Sequence, residues 1–114
     1  MTIDTLTVNV YNCSSSGGPA SLSFDGLDDY SEVEHGAALA SGGENTYVVW
    51  IRPEIQNTTA DVDVVFKAEQ FIIGINGQSN KPYFKAYINN TWETLASSQA
   101  ITVGEWSSII AMQN

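Results

Sequence analysis

The chain has 114 residues, 13 acidic against 4 basic side chains, and a formal net charge of -9. That length suits a single domain, 1–114, able to bury roughly two thirds of its unfolded surface, and it excludes a multidomain protein. The charge repels phosphate backbones and anionic headgroups, which excludes nucleic acid as an expected partner. The one cysteine, Cys13, makes no internal disulfide, so stability must come from packing or from a bound ion. Apolar runs such as Tyr47 to Ile51 are far shorter than the ~20 residues that cross a bilayer, and the N-terminus lacks a basic, apolar signal pattern. Membrane insertion is therefore not expected, and the compartment stays open.

Short alternating runs separated by Gly, Asn, Ser and Asp recur along the chain, and no segment sustains a three-to-four residue apolar period. The pattern predicts an all-β protein. An N-terminal strand over Ile3 to Asn12 leads into a Ser-Gly patch, so residues 13–19 are expected to form a flexible loop. Ser21 to Glu34, SLSFDGLDDYSEVE, reads as two strands joined tightly at Asp-Gly, with Leu22, Phe24, Tyr30 and Val33 as the apolar positions. Thr46 to Arg52 alternates Tyr47, Val49 and Ile51 against Val48 and Trp50 and ends at Pro53, as expected of a central sandwich strand.

Strands are also expected over Val64 to Ala68, Phe71 to Asn76 and Pro82 to Ile88, the last two joined by the turn Gly77 to Asn80. Asn89-Asn90 then supplies a tight turn into Thr91 to Leu95, and a last strand covers Trp106 to Met112. Within the Pro82 strand, Phe84, Ala86 and Ile88 fall on the expected core face with Tyr47. Tyr83, Lys85 and Tyr87 fall on the other face.

Six of these segments occur in the order of a known family. SFDGLDDYSEVE is followed by NTYVVWIRP, VVFKA, FIIGIN, PYFKA and VGEWSSIIA, and this succession resembles the laminin-G-like, concanavalin-A-like lectin and glucanase sandwich domain from Ser21 onward. The resemblance implies an antiparallel, jelly-roll-like sandwich of two sheets. It also marks this copy as incomplete or permuted. Ile3 to Asn12 is similar to the family's final strand, which pairs beside the first strand, yet it stands at the opposite end. The chain also ends where further family strands would follow. Strands left without neighbours expose unpaired backbone groups, so a homo-oligomer formed through unpaired edges is expected. Family members are mostly secreted or displayed on cell surfaces.

Binding is the expected function. Tyr83, Tyr87 and Trp92, with Trp50 as a further candidate, line an outward face on which sugar rings can stack, while Lys85, Asn89, Asn90 and Gln78 supply hydrogen bonds. The ligand-binding set is Tyr83, Lys85, Tyr87, Asn90 and Trp92. The ligand is expected to be carbohydrate or glycoconjugate, and protein adhesion or self-assembly as part of a larger surface protein is the alternative. At Trp50 and Trp106 a structural role competes.

Asp25, Asp28 and Asp29 crowd one turn beside Gly26, as a calcium ion requires, and the resemblance supports calcium; hairpin turn chemistry explains the same residues without an ion. Catalysis is not expected, and a glycoside hydrolase is only the minor alternative. The Glu-x-Asp-x-x-Glu arrangement of glucanases with this fold is absent, and Asp61-Val62-Asp63 and Glu32-Val33-Glu34 each lack its partners. His35 has no nucleophile motif around it and reads as an exposed loop residue. With Cys13 it leaves a zinc site two ligands short.

Overall fold

A computed structural model describes residues 3–11, 21–37, 44–54 and 59–113. The predicted loop 13–19, with Cys13, lies outside them. Seven strands follow in order: β1 (Ile3–Tyr11), β2 (Asn45–Ile51), β3 (Val62–Lys67), β4 (Phe71–Ile75), β5 (Pro82–Ile88), β6 (Thr91–Ala96) and β7 (Trp106–Gln113). There is no α-helix among the described residues. The strands form two antiparallel sheets, ordered β1-β7-β2 and β3-β4-β5-β6.

Alternation decides what each strand buries. In β5 the even positions Phe84, Ala86 and Ile88 join Ile73 of β4 and Ile109 and Ala111 of β7 in one core, flanked by Tyr47, Val49, Ile51, Val65 and Phe71. Three rings bridge the sheets: Tyr47 lies 4.1 Å from Phe71 and 5.6 Å from Phe84, centroid to centroid, with tilted planes. Such offset contacts suit aromatic quadrupoles better than stacked sandwiches do. Along β7 the inward positions also include polar Ser107 and Gln113, both buried. Gln113 accepts a bond from the Tyr47 hydroxyl at 3.4 Å, while the Ser107 hydroxyl has no partner among the described residues.

The turns of the four-stranded meander follow local side-chain chemistry. Asn89 and Asn90 sit at φ 50° and 62°, the left-handed pair that a two-residue hairpin needs. Between β4 and β5 the Asn76 carboxamide oxygen accepts the backbone N–H of Gln78 and of Ser79 at 3.1 and 2.9 Å, closing an Asx turn. Pro82 opens β5, a position where proline is tolerated because only the last bond of the ladder lacks its donor, and its carbonyl accepts the Ser97 N–H at 2.8 Å.

Three expectations are corrected. Ser21 to Glu34 forms no hairpin: residues 21–37 contain no strand and are exposed throughout. The Asp25 carboxylate takes the N–H groups of Leu27 and Asp28, at 2.8 and 3.4 Å, and Asp29 takes that of Asp25 at 3.0 Å. These side chains divert donors that a strand ladder would use, and no neighbouring strand competes for them among the described residues. Secondly, among the described residues β2 is an edge strand and β7 the central one, with Tyr47 facing Ala111 and Val49 facing Ile109. Finally, β1 runs antiparallel to β7, from Thr5 opposite Met112 to Tyr11 opposite Trp106, and does not pair with a strand from the Ser21 segment.

Candidate functional site

The outward face of the four-stranded sheet collects most of the predicted binding residues. Across β5 and β6, Tyr87 faces Trp92, Lys85 faces Thr94 and Tyr83 faces Ala96. Tyr87 and Trp92 form a tilted pair with centroids 5.1 Å apart and planes at 55°. Tyr87 is half-buried and Trp92 is 38% exposed. Asn90 is exposed in the turn that ends this hairpin, beside the aromatic pair. Gln78 stands at the other end of β5, in the β4–β5 turn, so the two amides flank opposite ends of the face.

Tyr83 has a different character from Tyr87. It is only 5% exposed, and its hydroxyl donates to the Asp63 carboxylate at 2.9 Å, two strands away. Gly74 of β4 makes that reach possible: opposite Tyr83, it presents no Cβ, and one placed there would collide with the tyrosine ring and hydroxyl. Burial, and then the bond to Asp63 and the charges of Asp63 and Asp61, push the Tyr83 hydroxyl well above the ordinary phenol value. It therefore stays protonated as a donor. The Lys85 ammonium lies 4.8 Å from the Tyr83 ring centroid, in cation–π geometry.

Phe66 is not among the expected site residues, yet it belongs to this face and is 61% exposed. Strict alternation along β3 puts Asp63 and Phe66 on opposite faces. A register shift between Asp63 and Val65 brings both to the outward side, opposite Gly74 and Ile72. A bulge leaves no sequence mark here beyond the Asp itself. Trp50 is the reverse case: it pairs with Ser108 on β7 and is 51% exposed on the outer side of the other sheet, away from the tyrosines.

Beside Tyr83 the face dips into an open cavity of about 320 Å³, whose polar lining includes Asp61, Ser79, Lys81, Lys85 and Thr94. Asp61 accepts the Gly77 N–H at 3.1 Å. Asp61 and Asp63 thus each hold a neighbouring donor, one in a turn and one across the sheet. His35, Glu32 and Glu34 are exposed within the 21–37 segment.

Asp25, Asp28 and Asp29 are brought together, each offering a carboxylate oxygen within 4.8 Å of the others, and all three are exposed. Three carboxylates supply part of the six to eight oxygens that calcium takes. Two of them also organise the turn. Among the described residues no helix is long and apolar enough to cross a membrane.

Neither a curated protein nor a solved structure matches the chain. Residues 24–114 match a laminin G family model described as the Concanavalin A-like lectin/glucanases superfamily. With two facing antiparallel sheets and a match over most of its length, the chain belongs to the concanavalin A-like lectin/glucanases superfamily.

Proposed function

We propose that the protein is a noncatalytic binding module that recognises carbohydrate or glycoconjugate on the outward face of β5 and β6. The observation that carries the reading is the Tyr87–Trp92 pair, whose rings stand 5.1 Å apart on a face turned away from the core. Sugar rings present C–H faces that stack on such aromatics, and Thr94, two residues along β6 from Trp92, and Asn90 in the adjoining turn offer donors and acceptors beside the pair. The noncatalytic reading draws support from the occupied roles of Asp61 and Asp63.

Trp92→Ala and Tyr87→Ala are expected to abolish retention on a glycan array. Unfolding free energy should change by no more than about 1 kcal/mol, because both side chains keep part of their surface in water. Unaltered retention by both variants would refute the proposal.

A second reading, protein adhesion or self-association, is favoured by a separate observation. Leu22, Leu27, Tyr30 and Val33 are 74 to 88% exposed on the Ser21 segment, a density of apolar side chains that usually finds a partner. In that case light scattering gives a mass above one chain, and the monomer mass at all concentrations argues against it.

Calcium at Asp25, Asp28 and Asp29 is a subsidiary proposal, supported by the convergence of their oxygens. A bound ion raises the melting temperature in step with its occupancy, and chelator reverses the rise. No shift with millimolar calcium removes the ion from the proposal.

A further inference from the structure

The outward face continues beyond the aromatic pair. Along β5 and β6 the facing pairs run Tyr87 with Trp92, Lys85 with Thr94 and Tyr83 with Ala96. Each step advances roughly 7 Å at ~3.4 Å per residue. Lys81 continues the same side of the chain by alternation, so the track from Tyr87 to Lys81 covers roughly 20 Å. Its far end is the cavity of about 320 Å³.

The lean of Tyr83 opens that cavity. Its ring crosses Gly74, and its hydroxyl is held by Asp63 on β3. The β6 flank is left to Ala96, whose methyl group forms a low floor. The Lys85 side chain reaches back over the Tyr83 ring, which places its ammonium at the cavity. The lining is chemically mixed: Asp61 accepts, Lys81 and Lys85 donate, Thr94 does both, and Ser79, whose proton goes to the Asn76 carboxamide oxygen at 3.0 Å, offers an acceptor. Sugar hydroxyls also donate and accept, so such a lining matches a ring carrying several of them.

We infer that this cavity is a second sugar subsite, so that the site takes a glycan chain lying along β5 instead of a single ring. The inference rests on the carbohydrate reading of Tyr87 and Trp92. Stacking at the aromatic end tolerates many rings, because it reads a flat apolar face. Hydrogen bonds in the cavity select among hydroxyl patterns, because each unmatched polar group there loses a water partner without replacement. Gly74, Tyr83 and Asp63 act as positioning residues that keep the cavity open.

The test is a chain-length series measured by isothermal titration. The probes are β-1,4-linked gluco-, manno- and xylo-oligosaccharides and α-1,4-linked gluco-oligosaccharides, each from the monosaccharide to the hexasaccharide. Affinity is expected to rise about tenfold or more between the disaccharide and the tetrasaccharide of the series that binds. Lys81→Gln combined with Asp61→Asn should remove that rise and leave disaccharide affinity unchanged, since the carboxamide oxygen of the Asp61→Asn variant still accepts the Gly77 N–H. Trp92→Ala should weaken every length. An affinity independent of length, or an equal loss at all lengths in the double variant, overturns the second subsite while the aromatic site survives. Binding by no series at any length overturns the carbohydrate reading, and the second subsite falls with it.

Discussion

The Ser21 to Glu34 segment and the β4–β5–β6 meander begin from the same kind of sequence, alternating apolar residues broken by Asp, Asn and Gly, and they end differently. In the meander, Phe84 and Ile73 are 0% and 1% exposed. In the Ser21 segment, Phe24 is 51% and Leu27 88% exposed. Both regions use the same turn chemistry: Asn76 captures two N–H groups, and so does Asp25. The difference is the neighbour. Each meander strand finds another whose alternation matches its own, facing a second sheet that completes the core, whereas the Ser21 segment has no ladder among the described residues. Alternation and a good turn make a strand eligible; a partner makes it a strand.

The sharpest break of this comparison is a pair of like substitutions. Phe84→Ala is expected to cost about 3–5 kcal/mol, since it removes a fully enclosed ring, and Phe24→Ala should stay within about 0.5 kcal/mol. Urea unfolding of both variants measures the contrast, and equal losses would mean that the Ser21 segment packs in solution. A smaller effect lies in the turns. Asn90 has φ 62°, so Asn90→Ala should cost about 1 kcal/mol while Asn90→Gly is tolerated.

The smallest effect is the pH dependence from Tyr83. Its folded pKa is raised above the unfolded value of 10.0, so its stabilising contribution is complete below that value and is lost as pH climbs toward the folded pKa. The melting temperature of the wild type should therefore fall more steeply above pH 10 than that of Tyr83→Phe. Parallel curves would show that neither burial of the Tyr83 hydroxyl nor its bond to Asp63 contributes to this dependence.

Much of the meander is legible in the residues. The Asn89-Asn90 turn, the Gly77 to Asn80 turn and the division of β5 into Phe84, Ala86 and Ile88 against Tyr83, Lys85 and Tyr87 all follow from period two and left-handed turn residues. Trp92 can be assigned to the same face as Tyr87 because a two-residue turn fixes the hairpin register. The site is less legible. Alternation makes Tyr83 an open platform, but Gly74 lets it lie down across β4 to Asp63, a contact between residues 20 apart in the chain. Phe66 is hidden by the bulge in β3, and Trp50 lands on the other sheet because alternation names a face without naming its sheet.

The amino-acid order alone determined the strand type, most of the turns and which side of β5 meets the core, because these depend on backbone preferences and on side chains two residues apart. Tertiary structure decided the rest: β7 as the central strand, the unladdered Ser21 segment and the cavity beside Tyr83. Those depend on which distant strand lies alongside, and that is settled by hydrogen-bond ladders and packing between residues far apart in the chain, which no local pattern encodes.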